Sequence, residues 1–166
     1  MSDSLVVRRA RVGDVRAIKS IIDTYVGKVL LAKELVTLYE DVQEFWVAEH
    51  DDRIVGCGAL HVLWEDIAEI RSIAVLPHAL RLGAGAALVE RLLAVARELG
   101  LARVFVLTFE TGFFARHGFV EIDGTPVSAE VYAEMRRSAD EGVAEFLDLP
   151  YVKPNTLGNS RMLLEL

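Results

Sequence analysis

The sequence predicts an α/β domain in which short strands alternate with helices. Three observations support this class. Residues 67–75 and 103–107 are apolar and rich in β-branched side chains, as strands are. Residues 85–99 carry apolar side chains at helical spacing. The length of 166 residues suits one domain, and we expect residues 1–166 to form it.

The elements are expected in the order β-α-α-β-β-β-α-β-α-β, followed by a last helix and strand. Asp14 is the expected N-cap of the first helix, whose apolar face includes Val15 and Ile18. Asp51 and Asp52 mark the turn of a hairpin. Strands are predicted at residues 6–9, 45–49, 54–63, 67–75, 103–107, 119–122 and 160–166. Further helices are predicted at residues 34–42, 85–99, 111–117 and 129–137, with a loop at 26–33.

Composition argues against several classes of function. The formal net charge is −7, and basic residues cluster only at Arg8, Arg9 and Arg11, so we expect no nucleic-acid partner. No apolar run reaches the length of about 18 residues that a spanning helix needs, and no secretory signal is visible. We therefore expect a cytoplasmic protein without a membrane partner. The four histidines lack metal-ligand spacing, so no metal is expected. Cys57, in an apolar strand, is expected to be buried and unreactive.

A glycine-containing turn joins an apolar strand to the helix that follows it. The apolar run 70–76 stops at Pro77, and Gly83 and Gly85 precede the helix. Strand, turn and helix in this order place free backbone N–H groups at the positive end of a helix, and such groups bind phosphate. The turn is not a dinucleotide fingerprint, because Leu88 stands where a third small residue is needed. It is not a Walker loop either, since no Gly-Lys-Ser/Thr follows.

This segment resembles the pyrophosphate loop of the GCN5-related N-acetyltransferases, whose pattern is V-x-P-x-x-Q/R-x-x-G-x-G/A. The residues in register with that pattern are Val75, Pro77, Gly83 and Gly85. The Gln/Arg position is Leu80 here, and we expect Arg81, one residue later, to supply the positive charge. A second stretch, residues 113–119 (FFARHGF), resembles the F-Y-x-x-x-G-F segment of the same family.

The resemblance implies both a fold and a co-substrate. The fold is a mixed, mostly antiparallel central sheet with helices on both faces and a splay between its two central parallel strands. The co-substrate is acetyl-CoA, whose pantetheine arm pairs with the strand before the loop like an added strand. The residues that the resemblance assigns to acetyl-CoA are Ile73, Ala74, Val75, Arg81, Leu82, Gly83, Ala84, Gly85, Ala86, Phe113, Phe114 and Arg116.

Acetyl transfer to an amine needs a base for the ammonium and a donor for the developing oxyanion. By resemblance the donor is a backbone N–H of residues 73–75. The first choice for the catalytic base is Glu69 at the start of the strand, where the resemblance implies a carboxylate that acts through a water. Glu65 and Asp66 are weaker candidates. The acid tyrosine of the family corresponds to Phe114, so the proton donor for the thiolate stays unassigned.

Several stretches also resemble the acetyltransferase domain of bacterial N-acetylglutamate synthases. They are residues 54–60 (IVGCGAL), 68–75 (AEIRSIAV), 103–108 (RVFVLT) and 159–163 (NSRML). The substrate-binding residues that this resemblance indicates are Leu30, Lys33, His61, Arg71 and Ser160. The arginine expected two residues before the serine is Gly158, which opens the site to glutamine or another polar amino acid. Lys28 and Arg71 are the cations that could restore the charge.

The resemblance therefore predicts an amino-acid N-acetyltransferase. Its acceptor is the α-amino group of L-glutamate or L-glutamine, and the reaction is the first step of arginine biosynthesis. The expected partners are acetyl-CoA and a small amino acid, and a homodimer is compatible with the sequence. Two alternatives stay open. One is an acetyltransferase for another amine, such as a protein N-terminus, a polyamine or an antibiotic. The other is a non-catalytic acyl-CoA-binding module, which the phenylalanine at Phe114 favours.

Overall fold

The computed structural model describes residues 4–26, 33–149 and 158–166. The chain divides into two compact units, the first comprising Met1–His61 and Ile70–Gly100, the second Val62–Glu69 and Leu101–Leu166. The strands are β1 Leu5–Arg9, β2 Phe45–His50, β3 Arg53–Trp64, β4 Ile67–Val75, β5 Arg103–Thr108, β6 Val120–Glu121 and β7 Ser160–Glu165. The α-helices are α1 Val15–Tyr25, α2 Leu35–Glu40, α3 Ala84–Glu98, α4 Thr111–Ala115, α5 Ala129–Met135 and α6 Glu141–Leu147. Short 3₁₀ helices cover Val12–Asp14, Val42–Glu44 and Pro77–Leu82.

The first unit is built around the antiparallel strands β1, β2 and β3. β1 pairs with β2, with Val7 opposite Ala48, and β2 pairs with β3, with Val47 opposite Cys57. The predicted hairpin turn is confirmed between β2 and β3. Asp51 and the residue after it have φ angles of 50° and 62°, and a two-residue hairpin turn of type I′ needs positive φ at both positions.

Helices cover both faces of this part of the sheet. Side chains alternate along a strand, so Val47 and Ala48 of β2 point to opposite faces. Val47 packs in a core with Ile18 of α1 and Leu38 of α2. Ala48 packs in a second core with Leu88 of α3. The expected placement of helices on both faces of the sheet is therefore confirmed in this unit.

Two glycines of β3 explain how closely α3 approaches the sheet. A Cβ atom built on Gly56 would lie 3.1 Å from Cδ1 of Leu88 and 3.2 Å from the backbone oxygen of Ala74. A Cβ atom on Gly58 would lie 2.6 Å from Cδ1 of Ile73 and 3.3 Å from Cδ1 of Leu92. The absence of side chains at both positions leaves the space that the helix and its neighbours fill.

The second unit has its own strands and core. β5 and β6 both pair antiparallel with β7, so that Phe105 and Val120 each lie opposite Leu163. Phe105 and Phe146 meet edge to face, with ring centroids 4.8 Å apart. The guanidinium of Arg161 lies over the Phe105 ring and donates to the backbone oxygens of residues 124 and 146.

The structure corrects several predicted elements. Helix α6 was not predicted, although Asp140 caps it by accepting a hydrogen bond from the backbone N–H of Val143 at 2.9 Å. The predicted helix 34–42 is α2 followed by a 3₁₀ turn, and the predicted helix 111–117 already ends at Ala115. The predicted strand 119–122 shrinks to Val120–Glu121. No helix in the described part of the chain combines the length and apolar character needed to cross a membrane.

Asp14 has a different local role from the one predicted. It occupies the N-cap position of α1, but its side chain makes no cap hydrogen bond to that helix. Its carboxylate instead accepts from the backbone N–H of Arg11 at 2.7 Å and from the guanidinium of Arg8 at 2.8 and 3.0 Å. The residue therefore ties β1 to the turn before α1.

Candidate active site

The turn that we expect to bind phosphate joins a strand to a helix, as the sequence predicts. β4 ends at Val75, a 3₁₀ helix follows, and Gly83 adopts φ 76° and ψ 17° immediately before α3. The first helical hydrogen bond runs from the N–H of Ala87 to the oxygen of Gly83 at 3.0 Å. The N–H groups of residues 84–86 therefore precede the helical ladder and point out of the helix end. A Cβ atom on Gly83 would meet nothing within 4 Å, so the space beside this turn is open to a ligand.

The Gln/Arg position of the family pattern is exposed. Leu80 is 61% accessible and Arg81 is also exposed. Both side chains are thus in solvent, and neither belongs to the packed core. The charge of Arg81 is therefore in solvent next to the loop, and its role in binding phosphate stays a prediction.

The strand before the loop carries an irregularity that sequence reasoning missed. Ser72 has φ 55°, a left-handed conformation that is uncommon for a residue other than glycine. Its backbone oxygen accepts a hydrogen bond from Sγ of Cys57 at 3.4 Å. A left-handed residue inside a strand interrupts the regular pleat and re-aims the residues after it. Those residues are 73–75, which the resemblance assigns to acetyl-CoA.

The single cysteine is not a nucleophile. Cys57 is fully buried in β3, and burial raises the pKa of its thiol to about 12. A thiol with that pKa is protonated at neutral pH, and the thiolate is the reactive form. The prediction that Cys57 is a buried small residue is confirmed.

Three of the predicted acceptor residues lie in the first unit and are described. Lys33 is half-buried, and its backbone oxygen accepts from Nζ of Lys19 at 2.9 Å. His61 of β3 is also half-buried, with Nδ1 2.8 Å from Oε1 of Glu44. Arg71 of β4 is half-buried as well. The predicted residue Leu30, like Lys28, lies outside the described residues.

Glu69 lies in the second unit and is buried. Only 4% of its surface is exposed, in contrast to the exposed carboxylate of Glu65 in the preceding turn. Burial lowers the pKa of the Arg161 guanidinium, and the charges of Asp148 and Glu69 oppose that effect. Asp66, the other weaker candidate for the base, is already paired with Arg103 at 3.0 Å. Of the three carboxylates considered, Glu69 is thus the one with a buried environment.

The second family segment forms α4 and the turn after it. Phe114 is 1% exposed, and its ring packs edge to face on Phe113 and Phe119 at centroid distances of 5.1 and 5.2 Å. Its side chain consequently offers little surface to a ligand. Arg116 is exposed, with its guanidinium carbon 6.0 Å from the centroid of the Phe113 ring. Contact of these residues with acetyl-CoA stays a prediction.

The predicted serine and the glycine before it lie at the start of β7. Ser160 is half-buried and pairs with Thr108 of β5. Gly158 has φ 77°, which an arginine would adopt only with strain. The backbone conformation at this position therefore favours glycine over the arginine of the synthase pattern. In the described part of the chain, no group of three or more His, Cys, Asp or Glu residues is placed to hold a metal ion.

Comparison with known proteins identifies the class. The profile of the Acetyltransferase (GNAT) family matches residues 18–119, and the chain belongs to this family. Its fold is the GNAT fold, and the described residues form a mixed sheet of seven strands with helices. The resemblance noted in the sequence is thereby confirmed, whereas the splay between two strands stays a prediction.

Some individual relatives carry names that are more specific than the name of the family. An amino-acid acetyltransferase of Mycobacterium tuberculosis is 71% identical, over 97% of this chain and 94% of the relative. A crystal structure of Rv2747 from Mycobacterium tuberculosis, in complex with CoA and NLQ, has a TM-score of 0.94 at 71% identity. It covers 97% of this chain and 99% of that one.

More distant relatives are longer than this chain. The N-acetylglutamate synthase of Neisseria gonorrhoeae, complexed with coenzyme A and N-acetyl-glutamate, has a TM-score of 0.77 at 25% identity. The match covers 100% of this chain and 36% of the synthase. An amino-acid acetyltransferase of an Enterobacter species is 33% identical, over 80% of this chain and 31% of its own length. The chain thus spans about a third of these two relatives.

The protein is an N-acetyltransferase that uses acetyl-CoA. Two relatives have crystal structures in complex with CoA, and the GNAT family to which the chain belongs uses acetyl-CoA. The residues present fit it, because the turn before α3 has a left-handed glycine, open space beside it and N–H groups without helical partners.

Proposed function

We propose that this protein acetylates the α-amino group of L-glutamate or L-glutamine, as the first step of arginine biosynthesis. The observation that carries the proposal is the 71% identity to a protein named amino-acid acetyltransferase over 97% of the chain. A second, weaker support is the similarity over the whole chain to a synthase bound to N-acetyl-glutamate. The proposed location is the cytoplasm.

The reaction forms one C–N bond and breaks one C–S bond. The free amine attacks the thioester carbonyl carbon, and CoA leaves and takes up a proton at sulfur. In this proposal Glu69 accepts, through a water, the proton that the acceptor ammonium must lose. A backbone N–H of residues 73–75 donates to the oxygen that becomes negative. The group that protonates the CoA sulfur is not assigned, because Phe114 has no hydroxyl.

The remaining roles concern binding. Backbone N–H groups of Ala84, Gly85 and Ala86 hold the pyrophosphate, with the charge of Arg81 beside them. Lys33 and His61 bind the acceptor amino acid, together with Arg71, Ser160 and Leu30. We also propose that the chain works as one domain, alone or as a homodimer, and without a nucleic-acid or membrane partner.

The test is acetylation of a panel of amines by the pure protein with acetyl-CoA, followed through the release of free thiol. Turnover with glutamate or glutamine that exceeds turnover with other amino acids is the expected result. Acetylation of a polyamine, a peptide N-terminus or an antibiotic instead would overturn the substrate while leaving the class intact. Tight CoA binding without turnover on any amine would favour the non-catalytic module that the residue Phe114 suggests.

A further inference from the structure

A carboxylate that the family pattern did not single out is paired with a proposed acceptor residue. Glu44 ends the 3₁₀ helix before β2, and His61 lies on β3. Nδ1 of His61 is 2.8 Å from Oε1 of Glu44. The two side chains are 19% and 28% exposed, so the pair is partly shielded from solvent. Both residues belong to the first unit.

The contact fixes which ring nitrogen of His61 carries a hydrogen. An ionised carboxylate only accepts hydrogen bonds, so Nδ1 must donate to Glu44. In the neutral ring the other nitrogen, Nε2, then has a free lone pair and acts as an acceptor. The contact with Glu44 therefore leaves Nε2 of the neutral His61 ring as a hydrogen-bond acceptor for a neighbouring donor.

The charge of the pair matters as much as its hydrogen bond. With a neutral ring the pair carries −1, and with a protonated ring it carries 0. With its ring neutral, the pair opposes a second carboxylate, unlike the lysine expected at the position of His61. A carboxamide, by contrast, is neutral and has N–H groups that can donate to Nε2.

We propose that Glu44 is a specificity-determining residue that makes the acceptor site select an amino acid with a side-chain carboxamide over one with a side-chain carboxylate. The inference rests on the proposed function, which assigns His61 to the acceptor. Glu44 acts in two ways: it holds His61 with Nε2 as the acceptor, and its own charge opposes an anionic side chain. A binding site discriminates between two ligand groups of the same size when the disfavoured group leaves a buried polar group of the protein unpaired, or places a like charge beside a charge of the protein.

The test compares kcat/KM for glutamine and for glutamate in the wild type and in Glu44→Gln. The substitution keeps the size of the side chain and removes its charge. We expect the ratio of the two kcat/KM values, glutamine over glutamate, to exceed 1 in the wild type and to fall about tenfold in the variant, as removal of a nearby like charge predicts. The change should lie in KM, with kcat nearly unaltered, because Glu44 does not touch the reacting atoms. Glu40→Gln is the matched control, since Glu40 is an exposed glutamate at the end of α2, and it should leave the ratio unchanged.

Two further variants keep the test decisive. Glu44→Asp retains the charge and should restore most of the preference. His61→Phe removes Nε2 and should reduce kcat/KM for glutamine more than for glutamate, which is informative even if Glu44→Gln does not fold. Equal effects on both amino acids, or none, would overturn the inference, because the pair would then contact a group common to both. If His61→Phe raises the acceptor KM while Glu44→Gln leaves the ratio unchanged, the inference fails and the proposed function stands. If the wild type acetylates neither amino acid, both fail.

Discussion

At the scale of single residues, burial separates carboxylates that look alike in the sequence. Glu65, Asp66 and Glu69 lie within five positions of one another, and a sequence pattern cannot rank them by environment. In the structure Glu65 is exposed and Asp66 is paired with Arg103, whereas Glu69 is buried. A buried carboxylate interacts more strongly with neighbouring charges and protons than an exposed one does. The role of Glu69 as the base can therefore be tested against a close control.

Glu69→Gln keeps the shape of the side chain and removes its ability to accept a proton. We expect kcat to fall about 100-fold or more, the effect typical of losing a general base, with the affinity for CoA preserved. Steady-state kinetics and a CoA binding isotherm measure the two quantities. Glu65→Gln, a change to an exposed carboxylate four residues earlier, should leave kcat within about twofold. An unchanged kcat in Glu69→Gln would remove this residue from the mechanism.

At the scale of elements, helix α3 combines a ligand-binding end with a packing face. Its first residue follows Gly83, whose φ of 76° turns the chain into the helix. Its apolar face rests on β3, where Gly56 and Gly58 leave room for Leu88 and Leu92. The two roles depend on different glycines, so they can be separated by substitution.

Gly83→Val should weaken CoA binding. A β-branched residue strongly disfavours a positive φ, so the turn would leave the conformation in which residues 84–86 point their N–H groups outward. We expect the Kd for CoA to rise at least tenfold, measured by titration calorimetry. Gly100→Val is the matched control, because Gly100 has φ 81° just after the other end of α3 and a Cβ there would also meet nothing within 4 Å. Gly100→Val should lower the free energy of unfolding about as much as Gly83→Val does, while the Kd for CoA stays unchanged. An unchanged Kd for CoA in Gly83→Val would refute the loop assignment.

Gly56→Val should destabilise the first unit. The Cβ would lie 3.2 Å from the backbone oxygen of Ala74, which cannot rotate away, and 3.1 Å from Cδ1 of Leu88. Overpacking of this kind costs about 1–3 kcal/mol. Urea unfolding should report that loss, whereas Gly13→Ala, at a glycine with nothing within 4 Å of its Cβ, should stay within about 0.5 kcal/mol of the wild type. A neutral Gly56→Val would mean that α3 moves away from β3 at little cost.

At the scale of the whole molecule, acidic groups outnumber basic ones by 25 to 18. Their contribution to stability depends on which of them have partners in the fold. The guanidinium of Arg8 bonds the carboxylates of Asp14 and Glu49 at 2.8 and 3.1 Å. The hydrogen bond from Arg8 is the main cause that holds the pKa of Asp14 below its ordinary value. Such a group binds fewer protons in the folded than in the unfolded state, so it stabilises the fold above the unfolded-state pKa, and this stabilisation is lost as the pH falls.

Asp14→Asn should therefore destabilise the protein in a pH-dependent way. At pH 7 we expect the free energy of unfolding to fall by about 1–3 kcal/mol, the range for hydrogen bonds to charged groups. The difference from the wild type should shrink as the pH drops below about 4, where Asp14 is protonated in the unfolded chain. Denaturant unfolding at several pH values measures it. Asp23→Asn, which removes an exposed i,i+4 partner of Lys19, should cost no more than about 0.5 kcal/mol. A difference that is independent of pH would assign Asp14 a packing role.

The sequence alone determined the elements whose signals are local. The bounds of β4 were predicted to the residue, and α3 was displaced by one, because apolar periodicity, Pro77 and Gly83 act within a few positions. The family followed from the same turn and from residues 113–119, since backbone geometry at a helix start restricts which residues are allowed. Local signals failed where a short element depends on its surroundings. Helix α6 has only seven residues, too few to be stable without the core on which Phe146 packs.

Only the tertiary structure decided the environment of the candidate site residues. Local sequence patterns do not reveal these features. They are the burial of Glu69 and Phe114, the left-handed conformation of Ser72 and the contact between His61 and Glu44. The physical reason is that burial and hydrogen bonding depend on atoms far apart in the chain, and Glu44 is 17 positions from His61. The sequence could name the residue types that acetyl transfer needs, whereas their partners and exposure arise only when the strands and helices pack.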